Sequence, residues 1–177
     1  MERLIEDLLD AARIVQGKVG IRPERIALND VITSALSVVR PLVREREQEL
    51  HVQLPADPVP ITADPQRLQQ VFSNLLDNAA KFTPRGGRIG LTVEPGLETV
   101  VVRVTDTGRG IPAEMLPGIF DLFAQGSADE RGIGVGLAVV RGLVERHGGS
   151  VMAYSEGPGK GAEFVVRLPQ VAQEAAS

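Results

Sequence analysis

The sequence contains no cysteine. This absence excludes disulfide bonds, zinc sites built from thiolates and reactions that use a cysteine nucleophile. It also fits a reducing compartment such as the cytoplasm.

Aromatic and basic residues are scarce as well. Aromatic side chains make up 3% of the chain and tryptophan is absent, so the core must be aliphatic and platforms for stacking nucleic-acid bases are not expected. No run rich in lysine or arginine occurs, and the net charge is −4 with an isoelectric point near 5.3. Because a nucleic-acid binder would usually present a basic face, nucleic acid is not an expected partner.

Long apolar runs are missing too. No stretch approaches the roughly 20 apolar residues needed to cross a bilayer. The N-terminus alternates acids with aliphatic side chains, unlike a signal peptide. What the 177 residues do contain is 43% hydrophobic residues, which is enough for one compact domain with an appendage.

The first sixteen residues have the periodicity of a helix that ends at Gly17. Apolar side chains recur at spacings of 4, 3, 4 and 3, which is typical of a heptad seam. The seam consists of Met1, Ile5, Leu8, Ala12 and Val15, with Leu4 and Leu9 beside it. Because a helix this short is marginal alone in water, we expect the seam to pack on another helix or on a second copy of the chain.

The rest of the chain mixes helical and strand patterns. Asn29 is a candidate N-cap for a helix to about Arg46, and Asp64-Pro65 is a strong start for a helix to about Phe82. A third helix is predicted over 136–146. Strands are predicted at 25–28, 49–54, 59–62, 88–94, 98–105, 150–155 and 162–168. Separate helices beside hairpin-linked strands predict an α+β fold, a two-layer sandwich with a mixed, mostly antiparallel sheet, helices on one face and an additional N-terminal helix.

A polar row lies on the helix that starts at Pro65. Asn74, Asn78 and Lys81 are spaced by four and three residues, so all three project from one side of the helix. Amide oxygens suit a hard cation such as Mg²⁺, and lysine is a point-charge partner for phosphate. A solvated polar face would give the same pattern, and the row alone does not decide between the two.

The segment DTGRGIP follows a valine-rich strand. Asp106 therefore sits where the sheet fixes its backbone, and Gly108 and Gly110 permit close backbone approach or positive φ. A buried aspartate requires hydrogen-bond donors, and the exocyclic amino group of a nucleotide base is one such donor. An ordinary Asx-turn at a strand end is the alternative.

A third motif, RGIGVGL, leads directly into the helix at 136–146. Gly132, Gly134 and Gly136 alternate before the helix N-terminus, where exposed N–H groups favour an anion such as phosphate. The spacing is neither that of the dinucleotide fingerprint nor that of a P-loop, and a flexible hinge is the alternative. The preceding segment, 120–130, begins with apolar residues and continues with small polar ones, as a lid over a ligand would.

Taken in order, NLLDNAAKFTP, DTGRGIP, IFDLFAQG, GIGVGLAVV and HGGSVMAYSEGPGKGAEFVVRLP resemble the catalytic and ATP-binding domain of sensor histidine kinases of two-component systems. The resemblance covers about residues 20–169 and implies a Bergerat-type ATP-binding fold. Residues 1–19 resemble part of the second helix of the dimerisation hairpin in these kinases, and residues 170–177 are expected to be a flexible tail.

By position, the resemblance implies ATP and Mg²⁺ as ligands. Asn78 would hold the metal, Lys81 a phosphate, and Asp106 the adenine amino group. Phe82 would lie beside the nucleotide, and Phe120 and Phe123 would anchor the lid. The complete set of implied nucleotide-binding residues is Asn74, Asn78, Lys81, Phe82, Asp106, Gly108, Gly110, Ile111, Phe123, Arg131, Gly132, Ile133, Gly134, Val135, Gly136 and Leu137.

Some features depart from the family pattern. The phosphoacceptor histidine is absent, because His51 lies in a predicted strand and His147 at a helix end. This chain is therefore not expected to phosphorylate itself. Its implied partners are the parent kinase's histidine-containing dimerisation domain, a response regulator and, in the intact protein, a second copy. The parent could be a membrane-bound sensor with this domain in the cytoplasm. Ala162 replaces a common serine or threonine, and Arg131 replaces a frequent glycine.

The leading hypothesis is an enzyme, a histidine kinase module that presents the γ-phosphate of ATP to a histidine on another domain. The second hypothesis is an enzyme that hydrolyses ATP. The related gyrase- and chaperone-type ATPases carry a glutamate one turn before the metal-binding asparagine. Asn74 occupies that position here, and an amide cannot accept the proton of an attacking water. A module that senses nucleotide without catalysis is the third hypothesis.

Overall fold

The computed structural model describes residues 2–124 and 134–171. The helices within these ranges are α1 (Glu2–Val15), α2 (Leu28–Glu45), α3 (Pro65–Phe82) and α4 (Gly136–Arg146), with a short 3₁₀ turn at Leu116–Gly118. The strands are β1 (Glu24–Ala27), β2 (Glu49–Gln53), β3 (Pro60–Ala63), β4 (Arg88–Pro95), β5 (Thr99–Asp106), β6 (Ser150–Tyr154) and β7 (Ala162–Pro169).

The main sheet has five strands in the order β2-β4-β5-β7-β6. The β2–β4 pair is parallel and the other neighbouring pairs are antiparallel, while β1 and β3 form a separate antiparallel ribbon. Alternate residues of the central strands are buried under the helices, among them Val100, Val102 and Val104. The α+β two-layer fold predicted from the sequence is confirmed. Among the described residues, no helix is long and apolar enough to span a membrane.

The start of α3 matches the sequence prediction. The Asp64 side chain accepts hydrogen bonds from the backbone N–H groups of Gln66 and Arg67 at 3.1 and 3.2 Å, and Pro65 opens the helix. Burial alone would raise the pKa of Asp64, but the backbone donors, which include Arg22, outweigh it and lower this pKa. The charged cap fixes where α3 begins and therefore which turns carry its polar row.

His147 connects the start of α3 to the end of α4. Its Nε2 accepts the backbone N–H of Asp64 at 3.0 Å, and its Nδ1 donates to the carbonyl oxygen of Leu143 at 2.7 Å. The Nδ1 contact fixes the ring at the end of α4, and the Nε2 contact joins it to Asp64 at the start of α3. These contacts give His147 a structural role between α3 and α4.

The predicted N-cap of α2 is wrong. The helix begins at Leu28, directly after β1, and its N-cap residue is Ala27, which makes no side-chain cap hydrogen bond. Asn29 instead donates to the carbonyl oxygen of Pro55 at 3.1 Å and accepts from the backbone N–H of Val59 at 3.0 Å. Burial of Leu28 in the core sets the helix start, and this requirement outweighs the local capping preference of Asn29.

The predicted seam of α1 does not face the rest of the domain. Ile5, Leu8 and Val15 are 57%, 38% and 67% exposed, whereas Ala11 is buried and Ile14 is packed against the core. The helix therefore carries two apolar stripes, and the narrower one faces the domain. No partner for the wider stripe, the predicted seam, is found within the part of the chain that the structure describes.

Candidate nucleotide-binding site

The polar row lies on consecutive turns of α3. Asn74 is buried at 6% exposure, Asn78 is half-buried, and Lys81 is exposed. The Lys81 ammonium forms an ion pair with Asp77 at 2.8 Å, one turn earlier on the same helix. The gradient of burial along the row gives its two ends different surroundings, with a closed end at Asn74 and an open end at Lys81.

Asn74 joins α3 to the glycine-rich entrance of α4. Its Nδ2 donates to the carbonyl oxygen of Gly136 at 3.5 Å, at the long limit of a hydrogen bond. Among the described residues, the Asn74 Nδ2 is the atom that a Cβ atom on Gly136 would meet within 4 Å, at 3.9 Å. Two motifs separated by about sixty residues in the sequence thus meet at Asn74.

Asp106 ends β5 beside the C-terminal end of α3. Its Oδ1 accepts the backbone N–H of Gly108 at 2.8 Å. Burial raises the pKa of Asp106, although backbone donors from Gly108 and Ala162 act in the opposite direction. Asp106 is therefore a half-buried carboxylate that accepts hydrogen bonds from two backbone N–H groups. Its remaining lone pairs are suited to accept a further hydrogen bond from a ligand.

The glycines around Asp106 serve close backbone approach. A Cβ atom on Gly108 would overlap the carbonyl oxygen of Phe82, and one on Gly110, whose φ is +74°, would overlap the carbonyl oxygen of Gly157. The Arg109 N–H donates to Phe82 at 3.1 Å. The loop is therefore held between the end of α3 and the β6–β7 turn, as the positions of Gly108 and Gly110 in the motif predict.

Sequence reasoning missed two contacts that shape this loop. Ser155 Oγ accepts the N–H of Ile111 at 2.9 Å and donates to the carbonyl oxygen of Gly161 at 2.7 Å. The Arg109 guanidinium stacks over the Phe82 ring, with its Cζ 4.1 Å from the ring centroid. The glycine-rich turn at 156–161 was a signal for the first contact, whereas no local pattern pairs Arg109 with Phe82.

The structure describes only the second half of the RGIGVGL motif. Arg131, Gly132 and Ile133 lie outside the described residues. Gly134 has a φ of +70°, and its carbonyl oxygen accepts the Phe123 N–H at 2.9 Å. Val135 is buried and Leu137 packs on the core, so these two residues anchor the start of α4.

The start of the lid segment is anchored by one phenylalanine side chain. Phe120 is buried and meets Phe164 edge-to-face at a centroid distance of 6.1 Å. Phe123 is 63% exposed and has a φ of +62°. Phe123 therefore contacts Gly134 through its backbone, while its side chain is exposed.

The donor set fits a magnesium ion carried by a nucleotide rather than one held by protein alone. Among the described residues, no group of three or more histidine, cysteine, aspartate or glutamate side chains could hold a metal. The half-buried Asn78 offers an amide oxygen on the polar row. Mg²⁺ commonly takes one or two protein oxygens and completes its shell with phosphates and water, and the chemistry at Asn78 meets this requirement.

Comparisons with known proteins agree with this geometry. Residues 63–172 match the family described as histidine kinase-, DNA gyrase B-, and HSP90-like ATPase. The chain is 36% identical over 172 residues to the sensor protein KdpD of Clostridium acetobutylicum, covering 95% of this chain and 19% of that protein. It is 38% identical over 176 residues to the sensor protein DivL of Caulobacter vibrioides, covering 99% of this chain and 22% of that protein. The chain thus spans about a fifth of these relatives.

Solved structures give the same result. The full-length ShkA structure in complex with AMPPNP superposes with a TM-score of 0.85 at 29% identity, covering 98% of this chain and 36% of that one. The nucleotide-free catalytic domain of the histidine kinase ThkA superposes with a TM-score of 0.76 at 26% identity, covering 84% of this chain and 98% of that one. The chain belongs to the histidine kinase-, DNA gyrase B-, and HSP90-like ATPase family, and within it to the catalytic domains of sensor histidine kinases.

Proposed function

We propose that this chain binds Mg-ATP and, as the catalytic domain of a sensor histidine kinase, transfers the γ-phosphate to a histidine on a separate dimerisation domain. The observation that carries the proposal is the convergence on α3 of three motifs. The Asn74 amide donates a hydrogen bond to the carbonyl oxygen of Gly136 at the entrance of α4. The carbonyl oxygen of Phe82 accepts the backbone N–H of Arg109 in the Asp106 loop. A nucleotide has a polar base edge, a charged phosphate chain and a metal, and the three motifs supply one kind of contact for each.

At the base end, the half-buried Asp106 would accept the adenine amino hydrogen. The glycines that follow allow the loop to approach the base without steric hindrance. Ile111, 9% exposed, would supply an apolar wall. The Phe82 ring, with Arg109 stacked on it, would close the outer side of this pocket.

At the phosphate end, the N–H groups at the entrance of α4 would bind phosphate oxygens, since the helix dipole favours negative charge there. Asn78 would hold Mg²⁺, which supplies neutralisation of the phosphate charge. For Lys81 to contact a phosphate, its ammonium would have to share or exchange its pairing with Asp77. Phosphoryl transfer relies on positioning and charge neutralisation, so these residues need supply no general acid or base.

The parent protein is proposed to act as a cytoplasmic homodimer that serves a response regulator in two-component signalling. In this proposal residues 1–19 belong to the dimerisation hairpin, residues 20–169 form the catalytic domain, and residues 170–177 are a tail. The exposed seam of α1, at Ile5, Leu8 and Val15, supports an interface with another helix of that hairpin.

Hydrolysis of ATP is the less favoured function. An attacking water needs a proton acceptor, and Asn74 offers only an amide at the position where the related ATPases carry glutamate. The structure adds a second argument, since the Asn74 amide is buried and bonded to Gly136.

Phosphotransfer can be tested by mixing the chain with a histidine-containing hairpin domain and γ-labelled Mg-ATP. We expect label on the hairpin, no label on this chain alone, and little free phosphate. A hairpin whose acceptor histidine is changed to alanine is the matched control. Free phosphate as the main product would instead support an ATPase, and nucleotide binding without either product would support a sensing module.

The role of Asn78 can be tested with Asn78→Ala. Since the amide oxygen is the proposed metal ligand, we expect ATP affinity in magnesium to fall about tenfold. In EDTA the variant and the unmodified chain should bind ATP equally. Isothermal titration calorimetry in both buffers measures this difference, and an equal loss of affinity in the two buffers would contradict the metal assignment. Gln69→Ala, on the same helix but outside the row, is a suitable control.

A further inference from the structure

The polar row of α3 extends beyond the proposed nucleotide site. Arg67 and Gln70 precede Asn74 at spacings that continue the same helix face, so the row reads 67, 70, 74, 78 and 81 with intervals of 3, 4, 4 and 3. Its C-terminal half belongs to the nucleotide site. The side chains of its N-terminal half form hydrogen bonds with a side chain of α1.

That side chain is Asp10, whose carboxylate is 8% exposed. Oδ2 accepts hydrogen bonds from Arg67 Nη1 at 2.8 Å and from Gln70 Nε2 at 2.9 Å, and Arg67 also donates to Gln70 Oε1 at 3.1 Å. Arg13 lies 3.8 Å from Oδ1. A buried charge is tolerated only when it is paired and hydrogen-bonded, so this cluster ties α1 to α3 at one defined position.

The same helix contacts α4. The Ile14 side chain fills a notch at Gly142, where a Cβ atom would lie 2.6 to 3.0 Å from three of its carbons. Arg146, in the last turn of α4, donates to the carbonyl oxygen of Gly17 just after α1. α1 therefore bridges α3 and α4, the two helices that also meet at Asn74 and Gly136.

The bridge is only partly filled. A groove of about 620 Å³ runs beside α1 and is lined by Asp10, Arg67, Gln70, Ser73 and Asn74 among others. The groove connects the Asp10 cluster to the buried asparagine of the nucleotide site. Because this side of α1 is open, the Asp10 cluster, the Ile14 notch and the Arg146 bond hold the helix at separate points. Such contacts are easier to release than a continuous apolar interface.

We propose that docking of α1 and binding of nucleotide favour each other through α3 and α4; this inference rests on the proposed function. Docked α1 fixes the N-terminal half of the polar row and the far end of α4. The entrance of α4 then stays within reach of Asn74, which is the arrangement that a nucleotide requires. Because linkage is reciprocal, bound nucleotide strengthens the docking of α1 by the same factor.

The test uses the full chain and a non-hydrolysable ATP analogue with magnesium. Asp10→Asn keeps the side-chain shape but removes the charge that Arg67 requires, and Gly142→Val fills the Ile14 notch without altering α3. We expect each variant to bind the analogue about five- to tenfold more weakly. Glu6→Gln, which removes an exposed carboxylate one turn earlier on α1, should bind like the unmodified chain.

Hydrogen exchange of the unmodified chain provides a measurement that does not depend on any variant folding. Amides of α1 should exchange more slowly once the analogue is bound. Unchanged exchange in α1, or variants that bind as tightly as the unmodified chain or more tightly, would overturn the coupling while leaving the proposed function intact. Failure of the unmodified chain to bind the analogue would instead contradict the proposed function, and the coupling with it.

Discussion

Asp106→Asn is expected to weaken Mg-ATP binding by about 10- to 100-fold, the range for losing a hydrogen bond to a charged group. The carboxylate of Asp106 offers only acceptors, whereas an amide in its place can turn an NH₂ group toward the adenine amino group. The backbone around the site should not change, since the Gly108 N–H can bond to an amide oxygen as it does to Oδ1. Calorimetric titration of ATP measures the loss.

Asp57→Asn is the matched control, because Asp57 is an exposed carboxylate and its replacement changes the net charge equally. It should leave the affinity unchanged. At neutral pH the free energy of unfolding of Asp106→Asn should equal or exceed that of the unmodified chain, because a raised pKa means that burial disfavours the ionised form. Full retention of ATP affinity would refute base recognition by Asp106.

The raised pKa of Asp106 also sets the direction of the pH dependence. In the folded state the pKa of Asp106 lies above the usual 3.8. Asp106 therefore makes its full contribution to stability below pH 3.8, and this contribution is lost as the pH rises through the raised pKa. Adenine recognition requires the ionised form. ATP affinity should therefore decline on acidification at a pH above 3.8, and Asp106→Asn should lack this step.

Gly110→Ala is expected to lower the free energy of unfolding by about 2–4 kcal/mol and to abolish measurable nucleotide binding. Two physical terms add here. The φ of +74° is unfavourable for any residue with a Cβ atom, and that atom would overlap the carbonyl oxygen of Gly157. Relief of the overlap must separate the Asp106 loop from the β6–β7 turn and so distort the pocket.

Gly86→Ala separates the cost of the positive φ from the cost of the steric overlap. Gly86 has a similar φ of +79°, but a Cβ atom there would meet no atom of the described residues within 4 Å. It should cost only about 1–2 kcal/mol and leave nucleotide binding intact. Thermal or denaturant unfolding, with ATP titration of each variant, compares them. Equal stability of the two variants would show that the close approach at Gly110 does not matter.

Local chemistry explains why much of the fold is predictable. The start of α3 follows from Asp64 and Pro65, and its length follows from the periodicity up to Phe82. The valine-rich pattern of β5 and the short break between the strands predicted at 88–94 and 98–105 indicate a hairpin, which the structure contains. In these segments the local preference and the tertiary requirement agree. They disagree at Asn29, whose capping preference loses to the burial of Leu28, and the N-cap prediction fails there.

The residues of the candidate site also fall into two groups, those that the local sequence indicates and those whose contacts depend on the fold. Asn74, Asn78, Asp106 and the glycines carry their chemistry in residue type and spacing, and the sequence alone indicates them. The stacking of Arg109 on Phe82, the bond from the Ile111 N–H to Ser155 and the pairing of Asp10 with Arg67 join residues far apart in the chain. No periodicity within one segment encodes such pairs, because they depend on where the segments are placed.

The sequence by itself determined the two-layer fold and the residue types at the site, because both depend on local spacing and polarity, and the order of its motifs carried the resemblance to the family. Only the tertiary structure decided which stripe of α1 faces the domain. Two apolar stripes compete on that helix, and the choice falls to the buried Asp10, which is paired only when Ala11 and Ile14 turn inward. Burial of a charge requires specific partners, and those partners lie on α3, more than fifty residues away in sequence.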